Sequence, residues 1–254
     1  MRIVSHTCSN TEIICALGRA DDLVGVDDHS DHPPEVVHEL PRIGPDLDVD
    51  MERIKTLEPD LVITSLTVPG HERCLEKMRA AGLPLLVTQP HCLADVAGDI
   101  VRIGEAIDAT AEAHQLASHF HETLKRPKPT NRPLPVLVEW WPKPVIVPGR
   151  RSWVNEMLEL AGAYNPWAGE DAESLQVSPQ QARDAAPEII VMSWCGVDES
   201  KYRPHVVRRR EGWEAVPAVT GNRIHAISEA WLGRPGPRLL EGIERLRALV
   251  SSYQ

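Results

Sequence analysis

The sequence lacks several features that would place it in a familiar class. No apolar run approaches the roughly 20 residues needed to cross a bilayer. There is no G-x-S-x-G, no G-x-x-x-x-G-K-[ST], and no G-x-G-x-x-G after the first predicted strand. The cysteines include no C-x-x-C pair, and we expect them to be reduced thiols. They are Cys8, Cys15, Cys74, Cys92 and Cys195.

Basic residues are also scarce relative to acidic ones. Lys and Arg number 27 against 37 Asp and Glu, which gives a net charge of −10. A polyanion would be repelled, so we expect no nucleic-acid partner. The N-terminus has no 7- to 15-residue apolar core of a signal peptide. As written, the chain is predicted to be cytoplasmic, or periplasmic or extracellular if the true start lies upstream.

One pattern occurs twice in the chain. Residues 57–65 read LEPDLVITS and residues 186–193 read APEIIVMS, each with proline, an acid, a buried-strand run and serine. A strand and a glycine-terminated helix precede each copy, and another strand follows. Strands alternating with helices are typical of parallel sheets. We therefore predict an α/β fold with two doubly wound parallel-sheet lobes.

A helix is predicted between the two copies. Residues 108–125 carry apolar side chains at spacings of three and four, and a proline-rich break follows at 126–133. The predicted organisation is an N-terminal lobe at 1–106, a single long linking helix at 107–126 and a C-terminal lobe at 127–254.

Ligands of open α/β sheets bind beyond the carboxyl ends of the strands. Four of the seven tryptophans follow second-lobe strands, although the chain has one Phe and three Tyr. Each offers a large flat face and one N–H donor, which suits a bulky flat ligand. The alternative is that they pack in the core. The four are Trp140, Trp141, Trp194 and Trp231.

First-lobe strand exits supply polar candidates. Thr7, Cys8 and Ser9 lie at the start of an apolar helical run, and Thr67 follows the predicted strand at 57–65. We expect Ser9 or Asn10 to cap the helix. We also expect Thr7, Cys8 and Ser9 to line a ligand site at the positive end of that helix.

The run at residues 27–32, DDHSDH, contains carboxylates and imidazoles that could hold a divalent metal. A capped structural loop and a ligand contact through His29 are the alternatives, and we predict no metal site. Cys8 could instead be a nucleophile, assisted by His6 and His29, in a cytosolic enzyme. No residue pattern supplies its base, so we predict a non-catalytic protein with no catalytic cofactor.

Several motifs together resemble a known family. They are SNTE at 9–12, SDHPP at 30–34, LEPDLVI at 57–63, VNEMLELAG at 154–162, VSPQQ at 177–181 and WLGRPGPR at 231–238. The chain resembles ABC-transporter solute-binding proteins with two α/β lobes joined by one helix, especially the cobalamin-binding branch. The resemblance implies a corrinoid held reversibly in the cleft between the lobes. Haem, a ferric siderophore or a chelated metal is the alternative ligand.

The resemblance also implies residue roles. His29, Trp140 and Trp231 occupy positions that contact the ligand in that branch, and the position of His29 is usually tyrosine there. Transport relatives carry one exposed glutamate per lobe for docking on a permease. Glu72 matches the first of these, whereas Gly233 occupies the position of the second. The expected partners are therefore a small-molecule corrinoid and, through Glu72, an ABC permease.

Overall fold

A computed structural model describes every residue from Met1 to Gln254. The chain forms two compact units. Unit 1 contains residues 1–90 and 94–121, and unit 2 contains residues 91–93 and 122–254. The boundary at His121 therefore falls inside the helix that was predicted to link the lobes. No helix has both the length and the apolar character that a membrane crossing requires.

The first part of the chain alternates strands and helices. Its strands are β1 Ile3–Ser5, β2 Leu23–Val26, β3 Leu61–Ser65 and β4 Leu85–Thr88. Its helices are α1 Cys8–Ala16, α2 Pro34–Val37, α3 Met51–Thr56, α4 His71–Ala80, α5 Leu93–Ala106 and α6 Thr110–Leu124. The predicted helix at 108–125 is present as α6.

The second part contains more and shorter elements. Its strands are β5 Leu134–Glu139, β6 Trp141–Pro142, β7 Val145–Pro148, β8 Ala163–Tyr164, β9 Ser174–Val177, β10 Ile189–Met192 and β11 Ile224–Ala226. Its helices are α7 Val154–Leu160, α8 Pro179–Asp184, α9 Pro204–Arg208, α10 Pro217–Thr220, α11 Glu229–Leu232 and α12 Leu239–Ser251.

Both units contain a four-stranded parallel sheet with the same connectivity. The order is β2-β1-β3-β4 in unit 1 and β11-β10-β5-β8 in unit 2. Read from its other edge, the unit 2 sheet is β8-β5-β10-β11, so its strands are also arranged second, first, third and fourth in chain order. In each sheet, the strand that comes second in the chain lies on one side of the first strand, and the third and fourth strands lie on its other side. Right-handed crossovers then put helices on both faces. The predicted fold class is confirmed.

The duplicated motif is also repeated in backbone detail. Glu58 and Ala186, which both precede proline, have φ of 44° and 43°. Each follows the end of a helix, α3 or α8, and donates its N–H back to that helix. A left-handed residue followed by proline stops a helix firmly, because neither continues the hydrogen-bond ladder. The two copies therefore enter β3 and β10 through the same turn.

The strands of each parallel sheet carry mainly buried apolar side chains. All four residues of β10 are buried, and in unit 1 Val4 and Val62 of the central strands pack with Ile43 and Met78. Strands covered on both faces read as continuous apolar runs, which is the pattern that identified them in the sequence.

Two sequence-based expectations need correction. Helix α1 begins at Cys8 after Thr7, so Ser9 and Asn10 lie within its first turn and do not cap it. Asn10 instead donates its side-chain amide to the His6 carbonyl and to Thr7 Oγ1. The second correction is an unpredicted antiparallel sheet, β6-β7-β9, inserted into unit 2. Its strands are short, and proline at positions 142 and 144 masks their periodicity.

Candidate functional site

The strand order identifies a switch point in each parallel sheet. In unit 1 the connections that follow β1 and β3 run to opposite edges of the sheet, and in unit 2 the connections that follow β5 and β10 do the same. Loops diverge at such points, and ligands of open α/β sheets bind there. The residues that follow these four strands are therefore the candidate site residues of each unit.

In unit 1 the switch point is filled by buried hydroxyl groups. Thr7 Oγ1 lies 2.9 Å from Ser65 Oγ and 3.3 Å from Ser9 Oγ. Thr11 Oγ1 donates to Ser5 Oγ and lies 2.8 Å from Ser30 Oγ. Thr7 and Ser9 are almost fully buried, so their hydroxyls are engaged within the protein. This network fixes the loops after β1, β2 and β3 to one another.

Cys8 and Thr67 are the more accessible of the unit 1 candidates. Both are half-buried, whereas their neighbours Thr7 and Ser65 are buried. Thr67 Oγ1 lies 3.4 Å from Ser65 Oγ, at the outer end of the hydroxyl network. Cys8 and Thr67 therefore remain predicted ligand contacts. Thr7 and Ser9 are buried, and their hydroxyls hold the loops that carry Cys8 and Thr67.

His29 lies on a tight loop after β2. The backbone N–H of His29 donates to Asp27 Oδ2, and Ser30 Oγ donates to Asp27 Oδ1 at 2.5 Å. Burial raises the pKa of the Asp27 carboxyl, although these donors oppose that effect. The His29 side chain itself is 46% exposed. The loop thus presents an imidazole on a backbone that a buried carboxylate holds in place.

Asp46 brings three histidines together and was missed by sequence reasoning. Its carboxylate lies 3.4 Å from His29 Nε2 and 3.3 Å from His71 Nε2, and its carbonyl accepts from His6 Nε2 at 2.7 Å. Burial of Asp46 opposes ionisation, but His29 and His71 outweigh it and hold the pKa of the carboxyl below its usual range. Asp46 is distant in sequence from all three histidines, so no spacing rule could have found it.

Both ring nitrogens of His6 form hydrogen bonds within the protein. Its Nε2 donates to the Asp46 carbonyl, so Nδ1 is the acceptor for the Thr64 hydroxyl at 2.6 Å. Burial lowers the pKa of His6 to about 4, which keeps the ring neutral. An imidazole with both nitrogens engaged cannot serve as general base for Cys8. The enzyme alternative therefore loses one of its predicted groups.

In unit 2 the loop after β5 turns into a hairpin that carries Trp140 and Trp141. Trp140 N–H donates to the Ile146 carbonyl, and the Trp140 carbonyl accepts from Cys195 N–H beyond β10. The hairpin is thereby fastened to the switch point. Trp140 is half-buried and Trp141 is 43% exposed.

The small antiparallel sheet has one outward-facing row. Trp141 pairs with Ile146, and Ile146 pairs with Gln176. The alternate residues Val145, Val147 and Val177 belong to the core cluster or pack against it. Because side chains alternate along a strand, Trp141 and Ile146 face away from that core. Ile146 is a candidate contact that sequence reasoning missed, since its strand was not predicted.

Trp194 is a core residue, as the alternative interpretation held. It is 6% exposed, and its ring centroid lies 5.1 Å from that of Tyr202. Its Nε1 donates to Glu139 Oε1, and Arg210 binds the same buried carboxylate at 2.5 and 2.8 Å. A side chain so enclosed has neither its N–H nor its face available. The structure therefore argues against the predicted ligand contact by Trp194.

Two guanidinium groups lie over the ring of Trp231. The Arg238 and Arg245 Cζ atoms each lie 4.2 Å from its ring centroid. Its backbone is packed closely as well, since a Cβ on Gly242 would lie 1.9 Å from the Trp231 carbonyl oxygen. Glycine is therefore required where α12 meets α11. Trp231 is half-buried, and the two guanidinium groups cover part of its ring.

The predicted docking residue Glu72 is exposed in the first turn of α4. Its Oε2 accepts from the Gly70 N–H at 2.9 Å, which orients the carboxylate. Gly233 ends α11 and lies beside Glu229, whose carboxylate binds Arg234 at 2.7 Å. Unit 1 thus presents an exposed acid at the predicted docking position, and unit 2 presents none at Gly233.

The structure brings together no group of three or more His, Cys, Asp or Glu side chains able to hold a metal ion. Considered separately, the switch point of unit 1 presents one accessible imidazole and the partly exposed Thr67 hydroxyl, and that of unit 2 presents aromatic faces. That chemistry is recognition by contact and hydrogen bonding.

Comparison with known proteins gives consistent matches along the whole chain. Residues 3–230 match the model of a family described as periplasmic binding protein. A vitamin B12-binding protein from Vibrio cholerae serotype O1 is 30% identical over 250 residues, covering 96% of this chain and 87% of the relative. The uncharacterized ABC transporter substrate-binding lipoprotein YvrC of Bacillus subtilis is 30% identical, covering 96% and 78%.

Solved structures show the same similarity. The periplasmic vitamin B12 binding protein BtuF of Vibrio cholerae superposes with a TM-score of 0.81 at 28% identity, covering 99% of this chain and 96% of that one. The periplasmic heme-binding protein RhuT from Roseiflexus sp. RS-1, in apo form, gives a TM-score of 0.83 at 30% identity, covering 99% and 98%. These matches confirm the resemblance that the sequence motifs indicate.

Proposed function

We propose, from the premise that this chain belongs to the periplasmic binding protein family, that it is a receptor which binds a corrinoid reversibly. The observation that carries the proposal is the outward-facing aromatic hairpin, with Trp141 43% exposed and Trp140 half-buried beside it. Exposed large aromatics at a strand switch point are suited to a flat, bulky ligand. The vitamin B12-binding relatives favour a corrinoid as that ligand.

We assign the ligand contacts as follows. Trp140 and Trp141 supply aromatic faces, with Ile146 beside Trp141 on the same sheet face. His29 supplies an imidazole in place of the tyrosine that the resemblance implies. Cys8, Thr67 and Trp231 are further contacts, of which Trp231 offers only the part of its ring that Arg238 and Arg245 leave open.

The protein is proposed to be non-catalytic. Both nitrogens of His6 are engaged, which argues against a base for Cys8. The family consists of binding proteins, which supports the same conclusion. Ligand is therefore released unchanged.

Haem is the second candidate ligand. The heme-binding relative RhuT is as similar in fold as the vitamin B12-binding one, and imidazole is a common ligand of haem iron. The exposed His29 is the observation that favours it. Corrinoid and haem share a flat macrocycle with a central metal, so the aromatic hairpin fits both.

Delivery to an ABC permease is the proposed physiological role. Glu72 is exposed and oriented by Gly70, as a docking acid on unit 1 requires. The ABC substrate-binding lipoprotein and the periplasmic relatives support an exported location over the cytoplasmic one. Gly233 leaves unit 2 without the matching acid, so we expect Glu72→Gln to abolish most of any permease binding.

A titration tests the ligand class directly. Cyanocobalamin and hemin are added separately to the protein while tryptophan fluorescence and the visible spectrum of the ligand are recorded. Saturable binding of cyanocobalamin at micromolar or lower concentration, with tighter binding than hemin, is the expected result. Preference for hemin would replace the corrinoid by haem, and indifference of the fluorescence to both compounds would refute the proposal.

A further inference from the structure

A buried ion pair lies at the start of the aromatic hairpin that β6 and β7 form. Glu139, the last residue of β5, is fully buried, and Trp140 and Trp141 follow it directly in the chain. Arg210 donates from Nη1 to Glu139 Oε2 at 2.5 Å and from Nη2 to Glu139 Oε1 at 2.8 Å. Two bonds between a guanidinium and a carboxylate fix the orientation of the two groups as well as their distance.

The same guanidinium also binds the other side of the tryptophan pair. Arg210 Nη2 donates to the Pro142 carbonyl at 3.1 Å. Proline has no N–H, so the carbonyl is the main-chain group through which Pro142 can be held by a hydrogen bond. Arg210 therefore bonds to the residues on both sides of Trp140 and Trp141.

Arg210 is itself fixed by the core of unit 2. Its backbone N–H donates to the Val207 carbonyl at 3.2 Å, and its carbonyl accepts from the Trp213 N–H at 3.1 Å. Its guanidinium carbon lies 4.7 Å from the ring centroid of Trp213, which is fully buried. An aromatic face at this distance attracts the cation and restricts its position. The place of the guanidinium is thus set by the core, and the hairpin is bonded to it.

Both tryptophans are bonded to the hairpin that carries them. Trp140 N–H donates to the Ile146 carbonyl at 2.8 Å, on the opposite strand. Trp141 Nε1 donates to the Lys143 carbonyl at 3.1 Å, so the indole ring is bonded to its own hairpin. The positions of both side chains therefore follow the position of the hairpin.

We propose that Arg210 is the positioning residue of the aromatic hairpin: its bonds to Glu139 and Pro142 hold Trp140 and Trp141 in the arrangement that meets the ligand. This inference rests on the proposed function, because that proposal assigns the ligand to these two side chains. A binding surface that is already ordered loses less conformational entropy when the ligand binds. Arg210 thus raises affinity through the hairpin rather than through contact with the ligand.

Substitution by lysine separates positioning from charge. Arg210→Lys keeps a cation beside Glu139, but an ammonium lacks the planar fork that reaches Glu139 and Pro142 together. Arg183→Lys is the matched control, since Arg183 donates to the Gly212 carbonyl of the same loop and not to the hairpin. We expect the dissociation constant of cyanocobalamin to rise about tenfold in Arg210→Lys and to stay within about twofold in Arg183→Lys. Unchanged affinity in Arg210→Lys would overturn the proposal.

A variant without the two tryptophans separates positioning from general structural support. If Arg210 acts through the hairpin, Arg210→Lys has no further effect on affinity in a Trp140→Ala, Trp141→Ala background. A further tenfold loss in that background would show that Arg210 acts on binding by another route, and the proposal would be wrong.

Hydrogen exchange of the ligand-free protein, followed by NMR, tests the positioning directly. The Trp140 amide bonds to Ile146 across the hairpin, whereas the Ile190 amide bonds to the Arg223 carbonyl in the parallel sheet. We expect Arg210→Lys to accelerate exchange of the Trp140 amide about tenfold and to leave that of Ile190 unchanged. Equal acceleration at both amides would assign Arg210 to the stability of the whole unit and would overturn the positioning role.

The exchange measurement also keeps the two proposals distinguishable. A protein that binds neither cyanocobalamin nor hemin, yet shows selective acceleration at Trp140, refutes the proposed function alone. Tight binding of cyanocobalamin with no acceleration at Trp140 overturns the positioning role alone. If Arg210→Lys does not fold, Glu139→Gln replaces it, because the amide nitrogen of glutamine cannot accept a bond from Arg210. The same selective acceleration at Trp140 is expected there, and its absence would overturn the inference.

Discussion

In unit 1 the carboxyl ends of β1 and β3 carry serine, histidine and threonine, whereas in unit 2 the ends of β5 and β10 carry glutamate and tryptophan. All seven tryptophans and all three tyrosines of the chain lie in unit 2. Unit 1 holds the His6, His29 and His71 cluster around Asp46. Two sheets of identical strand order thus carry different chemistry at equivalent edges.

The difference teaches that strand order and edge chemistry are set by different residues. The proline turn and the apolar strand are alike in both copies, because burial on two faces allows little else. The residues just beyond the strands lie outside that constraint. Unit 1 uses them for a hydrogen-bonded network, and unit 2 uses them for an ion pair and aromatic surface. The same scaffold therefore offers a polar half and an aromatic half.

The largest expected effect is a loss of stability at the strand ends of unit 2. Arg210→Met leaves the fully buried Glu139 carboxylate without its cation, which costs about 3–5 kcal/mol of stability. Urea unfolding followed by tryptophan fluorescence measures it, because every tryptophan lies in unit 2. Arg209→Met, at an exposed neighbour, is the control. An unfolding midpoint unchanged in Arg210→Met would contradict the role of the pair.

The second-largest expected effect is a pH dependence of stability that arises in unit 1. Burial lowers the pKa of His6 to about 4, against an ordinary value of 6.5. Between these values the unfolded chain binds a proton that the folded chain does not, so stability falls as pH falls through this window. The expected loss is about 3 kcal/mol, all of it regained above pH 6.5.

Urea unfolding by far-ultraviolet circular dichroism at pH 7 and pH 4.5 measures this dependence. His6→Gln removes the titrating group and should flatten the difference between the two pH values. A difference that is equally steep in His6→Gln would assign the pH dependence to other groups.

The aromatic half is tested by ligand affinity. Trp140→Ala and Trp141→Ala should each weaken cobalamin binding by about 1–3 kcal/mol, the range expected for a lost aromatic contact. Isothermal titration calorimetry gives the dissociation constants. Tyr164→Ala, at an aromatic that is 44% exposed on β8, should leave affinity unchanged. Equal affinities for all four proteins would remove the hairpin from the ligand site.

The smallest effect compares one helix cap in each unit. Asp50 accepts from Arg53 N–H at the start of α3, and Ser178 forms a capping box with Gln181 at the start of α8. Replacing either by alanine should cost about 1 kcal/mol. Tryptophan fluorescence should detect the Ser178→Ala loss, and circular dichroism should detect both. Ser251→Ala is the control, with a change within about 0.5 kcal/mol; a larger loss there than at the caps would contradict the assignment.

Much of the fold could be predicted from local sequence. The LEPDLVITS and APEIIVMS copies carry buried strands behind proline turns, and the structure places β3 and β10 there. Helix α6 was predictable because its apolar residues recur at helical spacing. The sheet β6-β7-β9 was not, because strands of two to four residues broken by proline give no clear alternation.

The site was only partly predictable for a related reason. Trp140 and Trp141 were predicted as ligand contacts because they follow a recognisable strand, and both keep the accessible surface that such a contact needs. Trp194 follows a strand in the same way, yet it is buried by Glu139, Arg210 and Tyr202. A position beyond a strand end fixes where a side chain starts, and the elements packed around it decide whether it is exposed.

The sequence by itself determined the two parallel sheets, the repeated order of elements along the chain and the family resemblance, since each rests on patterns a few residues long. Only the tertiary structure decided that Asp46 meets His6, His29 and His71, and that Trp194 belongs to the core while Trp141 faces outward. Those outcomes depend on contacts between residues far apart in sequence. No local pattern encodes them, because such contacts exist only after the sheets have brought their loops together.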